Sequence, residues 1–319
     1  MKFLTIPLHD IDIQDERFRF SYHFDLEKLL ISIKKIGLIH PPTVVKRGGD
    51  QYVIVSGWKR IMACLRLAMA DIPVHLVREQ EDSRLFLLCL YENWAFRSFD
   101  LLEKAEIISK LNGFIKDERK IAREYFPLLD TPSNLSYLDL YLKIARMDSP
   151  WKKIVHEKKI PLSSIQVLTE FTLEDRQTLL PLVLPLNVNK LKQFFQDLYE
   201  LSKKTGNTAR SLLSAPEVQS VCRSEKLSPL QKAEKVRFLV HAKRYPALSS
   251  WKESFRNSLK KAGLTRDVAF DSSSFFEDGE FAVTFSLLDK EAFLKRISRL
   301  QELGADEAIF SLFQNDPHG

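Results

Sequence analysis

Glycine is scarce in this chain, at 10 of 319 residues. So few glycines argue against a large α/β enzyme built on glycine-rich loops and for a mostly helical protein. The three cysteines, Cys64, Cys89 and Cys222, stand far apart without a CxxC pair. That spacing suggests neither a zinc site nor a disulfide framework. Cys64 and Cys89 fall in apolar helical runs and read as packing residues, as expected of a protein from the reducing cytoplasm. Long hydrophobic runs are missing as well. The longest, over 179–188, is interrupted by prolines and is too short to span a bilayer. The first residues, MKFLTIPLHDIDIQDER, turn acidic within ten positions, unlike a secretory signal. No dense carboxylate cluster of the kind a two-metal nuclease needs is present, and there is no internal repeat.

Hydrophobic residues make up 45% and charged residues 28%, so the chain is expected to fold. A net charge of +6 permits anionic partners without demanding them. The length suits two or three domains. The reading along the chain gives four parts. Residues 1–97 mix strands and helices, 98–205 are helical, 206–228 are small and polar like a linker, and 229–319 end in a helix, two strands and a helix.

Within the first part, Phe3 to Ile6 reads as a strand. Leu26, Leu29, Leu30, Ile33 and Ile36 recur at helical spacing, and Gly37 is placed as the C-cap. Strands over 42–46 and 52–55 flank Arg47-Gly48-Gly49-Asp50, a hairpin turn. A helix follows over 58–67, then a strand over 72–77 and a helix over 83–93. In the helical part Asp100 is an N-cap for 101–111. Helices over 118–126, stopped by Pro127, and 136–147 flank the turn at 130–134 and suggest a helix-turn-helix with a long connection. Ser163 and Ser164 are expected to cap a helix over 165–170.

Four short segments carry candidate chemistry: the arginine pair Arg17 and Arg19; Gly37-Leu38-Ile39-His40-Pro41-Pro42; Ser56-Gly57-Trp58-Lys59-Arg60; and Glu92-Asn93-Trp94-Ala95-Phe96-Arg97. A helix opening just after Gly57 turns its first N–H groups and its positive dipole end towards any anion. Lys59 and Arg60 add two cations there, a placement that opposes the dipole unless an anion is bound. Glu92 and Asn93 offer one charged and one neutral oxygen, suited to magnesium bridging phosphates. Arg97 is placed to reach a phosphate oxygen. In the turn and at the start of the second helix of the helix-turn-helix, Ser133, Asn134, Ser136 and Tyr137 are candidates for reading DNA; Lys143 late in that helix, and Lys152 and Lys153 beyond it, are candidates for contacting its phosphates.

In order and spacing these segments resemble the N-terminal domain of the ParB family, the CTP-dependent DNA clamps of chromosome and plasmid partition. The similarity is good over roughly 1–170 and suggestive beyond. The resemblance implies a ParB/sulfiredoxin-like α+β N-terminal domain, an all-α middle domain with a helix-turn-helix and a small α+β C-terminal domain that dimerises. It implies that Ser56, Gly57, Lys59, Arg60 and Arg97 hold the phosphates of CTP or another NTP. Gly37, Leu38 and Ile39 would form the loop around them, Arg19 would lie near the base, and Glu92 and Asn93 would serve Mg2+ and hydrolysis. DNA, a second copy and a partition ATPase are the implied partners, at the nucleoid and away from membranes.

Most family members carry Gly-Glu-Arg-Arg where this chain has Gly57-Trp58-Lys59-Arg60, which leaves phosphate binding in place and turns the expectation towards weak CTPase activity at most. The alternatives are a nucleotide-responsive transcription regulator without hydrolysis and, ranked lower, a small-molecule kinase on the same fold. A sulfiredoxin needs a cysteine where Trp58 stands.

Overall fold

The computed structural model describes residues 2–22, 25–247 and, beyond them, 249–250, 253–254, 257, 269–271, 282–284, 289–291, 293–294, 297–298 and 301. The chain separates into two compact units, residues 1–192 and 193–319.

The first unit opens with a five-stranded mixed sheet. Its strands are β1 (Lys2–Pro7), β2 (Ile11–Asp12), β3 (Thr43–Lys46), β4 (Tyr52–Ser56) and β5 (Asp71–Val77), in the spatial order β1-β5-β3-β4-β2. β1 runs antiparallel to β5 and β3 antiparallel to β4, while β3–β5 and β2–β4 are parallel. β4 is buried at all five positions, as a strand covered on both faces must be. Alternation along it sends Tyr52 and Ile54 to one face and Val53 and Val55 to the other.

On the first face, Ile33 of α1 (Glu27–Ile36) and Trp58, Ile61 and Cys64 of α2 (Trp58–Arg66) close a core with Ile6, Val44, Ile54, Ile72 and Val74. α3 (Asp82–Trp94) packs on β4 and buries Leu85, Phe86, Cys89 and Leu90. Each fully buried aliphatic side chain of this kind contributes about 1.5–3 kcal/mol of transfer free energy. The hairpin between β3 and β4 forms where the sequence places it, with Gly48 and Gly49 both at positive φ.

α4 (Leu101–Ile115) starts at a capping box in which the Asp100 carboxylate accepts from the Glu103 N–H and Glu103 accepts from the Asp100 N–H. It runs four residues past the expected end, burying Ile107, Ile108 and Leu111. α5 (Glu118–Glu124) is two residues shorter than the sequence suggests, because Pro127 opens a 3-10 turn over Pro127–Leu129. α6 (Leu135–Ala145) then packs on α4 and α5, with the Asn134 side chain accepting from Ser136 N–H as its cap. α7 (Ser149–Lys158), α8 (Leu162–Thr169) and α9 (Leu173–Val183) follow. α8 begins three residues before the expected start, with Pro161 rather than a serine at its cap, and Ser164 is buried inside the helix.

The division between the units falls within α10 (Val188–Thr205). In the second unit, residues 206–228 hold two short helices, α11 (Ala209–Leu213) and α12 (Pro216–Arg223), in which Ala209, Leu213 and Val218 are buried. α13 (Pro229–Arg244) packs on α12. Asp197, almost fully buried, accepts from Arg244 and lies 2.8 Å from His241 Nδ1. β6 (Ala269–Asp271) and β7 (Ala282–Thr284) pair antiparallel. Positions 290–291, 293–294, 297–298 and 301 are helical. The rest of the expected C-terminal helix–strand–strand–helix unit lies outside the described residues.

Candidate functional site

Three segments distant in sequence meet at one cleft of about 250 Å³ in the first unit. The coil between β2 and α1 contributes Phe18, Arg19, Phe20 and Ser21. The turn from β4 into α2 contributes Ser56, Gly57, Trp58, Lys59 and Arg60. The end of α3 and the residues after it contribute Cys89, Glu92, Asn93, Phe96 and Arg97. Four of the lining side chains are cationic and one, Glu92, is a carboxylate.

Gly57 caps α2 with φ +96°, a left-handed conformation that glycine adopts without strain. This lets β4 turn directly into α2. The first N–H groups of the helix have no intrahelical acceptor, and the macrodipole favours negative charge at that end.

Arg60 is held firmly. Its Nη1 donates to the carbonyl oxygens of His40 at 2.9 Å and Pro41 at 3.0 Å, and its Nη2 lies 3.3 Å from Glu92 Oε1. It thus ties the 37–42 loop to α2 and α3. Arg97 is held as well. Its Nε donates to Asn93 Oδ1 at 3.1 Å, Nη1 to Glu103 at 2.7 Å and Nη2 to Ser21 Oγ at 3.3 Å. A guanidinium carries five N–H donors, so each arginine keeps two for a further acceptor. Asn93 is fixed in turn by donating to the Cys89 carbonyl at 2.9 Å. Arg19 pairs with Glu16, donates to the Ser21 carbonyl and lies 5.3 Å above the Trp58 ring. Lys59 differs from the three arginines, for among the described residues it has no hydrogen-bond or ion-pair partner.

The sequence-derived candidates divide accordingly. Arg19, Ser56, Gly57, Lys59, Arg60, Glu92, Asn93 and Arg97 come together in one wall. Gly37, Leu38 and Ile39 do not line the cleft: Gly37 ends α1 at φ +78°, Leu38 packs on the core and Ile39 is exposed. The loop reaches the site only through the His40 and Pro41 carbonyls. Arg17 pairs with Asp15 and Asp82 outside the cleft.

Among the DNA candidates, Ser133, Asn134 and Ser136 are exposed at the start of α6, and Tyr137 is half-buried beside them. Lys143 is engaged by Asp139 at 3.1 Å and Glu170 at 3.3 Å, and Lys153 lies 3.8 Å from Glu157. Lys152 donates to the Ala145 carbonyl at 2.6 Å. It lines a second cleft of about 270 Å³, which shares Arg19, Phe20 and Ser21 with the first.

Sequence reasoning missed Phe18, Phe20, Ser21 and Cys89 as wall residues, and it treated Trp58 only as a substitution. The signal for Cys89 was its position one helical turn before Asn93 on α3. Burial, with the Glu92 charge adding to it, pushes the Cys89 thiol up to about 12. Cys64 is also raised by burial. A thiol-counting assay at pH 8 should therefore modify Cys222, the half-buried one, ahead of Cys64 and Cys89, which should react only on unfolding. Fast reaction of all three in the native protein would contradict this packing.

A mixed sheet whose strand β4 turns through a left-handed glycine into a helix facing a cationic cleft defines a domain organised around that strand-to-helix turn. Comparison with known proteins shows what it is similar to. The model of the ParB N-terminal domain matches residues 3–94. The probable chromosome-partitioning protein ParB of Borreliella burgdorferi is 27% identical, over 68% of this chain and 78% of its own. That of Chlamydia muridarum is 28% identical, over 54% of this chain and 61% of its own. A C-terminally truncated ParB of Caulobacter crescentus, solved with CTP-gamma-S, aligns with 53% of this chain and 93% of its own at 18% identity and a TM-score of 0.28. Residues 3–94 match the ParB N-terminal domain, and over these shares the chain is similar to ParB proteins.

Proposed function

We propose that this chain is a ParB-like protein of DNA partition whose N-terminal cleft binds a nucleoside triphosphate, CTP by family resemblance, as a switch ligand. The observation that carries the reading is the convergence of Arg19, Lys59, Arg60 and Arg97 on the N-terminus of α2, balanced by a single carboxylate. Phosphate oxygens would take the free N–H groups of α2, the Lys59 ammonium and the remaining donors of Arg60 and Arg97. Arg60 ties the His40 and Pro41 carbonyls to the site, so the loop after α1 would be held beside the bound nucleotide.

Magnesium fits the donor set. It is usually held by one or two carboxylates together with the substrate's phosphates. Glu92 uses one oxygen for Arg60, and the Asn93 oxygen, bonded to Arg97, retains a second lone pair. Bound with the nucleotide, the ion would neutralise phosphate charge. Hydrolysis is weak in this reading, because Trp58 stands where the family has an acid.

Residues 98–205 would bind DNA through the α5–α6 pair, with Ser133, Asn134, Ser136 and Tyr137 at the tip. Lys143, Lys152 and Lys153 would leave their intramolecular partners for phosphates. Residues 229–319 would join two copies, and a partition ATPase would be the third component. Nucleotide acts on such an assembly by preferring one of its states. The intramolecular pairing of Lys143 and Lys153 favours, as a second reading, a nucleotide-responsive regulator with modest DNA affinity.

The test is a thermal-shift series with the four NTPs and magnesium, with and without DNA. A ligand at a hundredfold excess over its Kd should stabilise the native state by about 2.7 kcal/mol. Lys59→Ala is the informative variant, because Lys59 supports nothing else among the described residues. Its unliganded stability should stay within about 0.5 kcal/mol of wild type. Its nucleotide affinity should fall about tenfold, the usual loss for one hydrogen bond to a charged group. An unchanged nucleotide response in Lys59→Ala would remove that residue from the site.

A further inference from the structure

Two polar atoms in the cleft wall are left over once the site's internal bonding is complete. Trp58 Nε1 is buried with no hydrogen-bond partner, and Ser56 Oγ is buried with only the Cys89 thiol for company. Their residues are 6% and 1% exposed, and both line the cleft. Orphaned buried polar atoms are uncommon and costly, and they call for a specific explanation. Two under-satisfied atoms from residues that flank Gly57 in the chain and line one cleft are most simply explained by an acceptor that arrives with a ligand.

Resting on the nucleotide reading above, we propose that Trp58 and Ser56 are ligand-binding residues, and that the Trp58 indole N–H and the Ser56 hydroxyl donate to phosphate oxygens of the bound polyphosphate. The indole nitrogen is a donor only, so its partner must be an acceptor, and a phosphate chain supplies many. The surroundings agree. The Arg19 guanidinium lies 5.3 Å above the indole, so the ring is fixed in orientation beside a positive charge. Lys59, next in sequence, is available to the same ligand.

The substitution also has a direction. Where the resembling proteins carry glutamate, this chain carries a neutral donor. A carboxylate there would repel phosphate oxygens, whereas an indole N–H attracts them.

Two measurements on the full chain test this with Mg–CTP, or with whichever NTP the thermal-shift series selects. The first follows the four tryptophan indole N–H signals of 15N-labelled protein during titration, with the Trp58 signal identified by its loss in Trp58→Phe. The second compares calorimetric affinities of wild type, Trp58→Phe and Ser56→Ala. The Trp58 signal should move on binding. Trp58→Phe should bind at least about tenfold more weakly and Ser56→Ala roughly threefold more weakly. Should Trp58→Phe fail to fold, the Ser56→Ala affinity decides alone. Wild-type binding with a stationary Trp58 signal and unchanged affinity in the variants would overturn the assignment and leave the nucleotide reading intact. Failure of the wild type to bind any NTP would instead overturn the nucleotide reading, and this assignment with it.

Discussion

Gly57→Ala should destabilise the first unit by at least about 2 kcal/mol and abolish nucleotide binding. Two costs combine. An L-residue held at φ +96° is strained by about 1–3 kcal/mol. The added Cβ would also meet Pro42 Cβ at 2.8 Å and the Arg60 Nε and Nη2 atoms at 2.9 Å. Overpacking of that kind typically costs a further 1–3 kcal/mol. Arg60 cannot yield freely, since its guanidinium is tied to two carbonyls and to Glu92. Relief of the clash therefore frees the 37–42 loop and opens the site. Urea denaturation gives the stability, and a loss below about 0.5 kcal/mol would show that the turn tolerates a side chain and that the clash is absorbed elsewhere.

Glu103→Ala should cost about 2–3 kcal/mol and weaken nucleotide binding from outside the cleft. Glu103 serves two elements at once. It completes the capping box of α4, and it accepts from Arg97 Nη1 at 2.7 Å with its side chain only 8% exposed. Loss of the cap costs about 1 kcal/mol and loss of the charged hydrogen bond about 1.5. Arg97 is 30% exposed and can turn partly to water, so the 3–5 kcal/mol penalty of a fully buried orphan does not apply. Glu103→Gln should recover part of the loss, because an amide oxygen can still accept from Arg97 while the charge is gone. Equal stabilities for Ala and Gln would mean that Arg97 is positioned by Asn93 and Ser21 alone.

How much of this was legible beforehand depends on the range of the interactions. Gly37 as a C-cap, the Gly48-Gly49 hairpin, the helix opening at Trp58 and the Asp100 cap are all set by neighbours within four residues, and each stands where the sequence places it. β2 went unread because its two residues are held by parallel pairing to β4 some forty positions later. The 18–21 wall was equally hidden. It is coil without periodicity, and Ser21 meets Arg97 across 76 positions. The anchoring of Arg60 was hidden for another reason: its acceptors are main-chain carbonyls, which leave no trace in side-chain identity. Trp58 could be read as a departure from the family pattern, but its unpartnered nitrogen needed the packing around it.

The most direct measurement is a calorimetric titration of Mg–CTP into the full-length chain, with ATP, GTP and UTP as comparisons and with repeats at rising salt. One saturable site per chain, weakened by salt and by Lys59→Ala, is the expected result. No heat of binding with any of the four nucleotides, in protein shown to be folded by its cooperative unfolding, would contradict the assignment of the cationic cleft as a polyphosphate site.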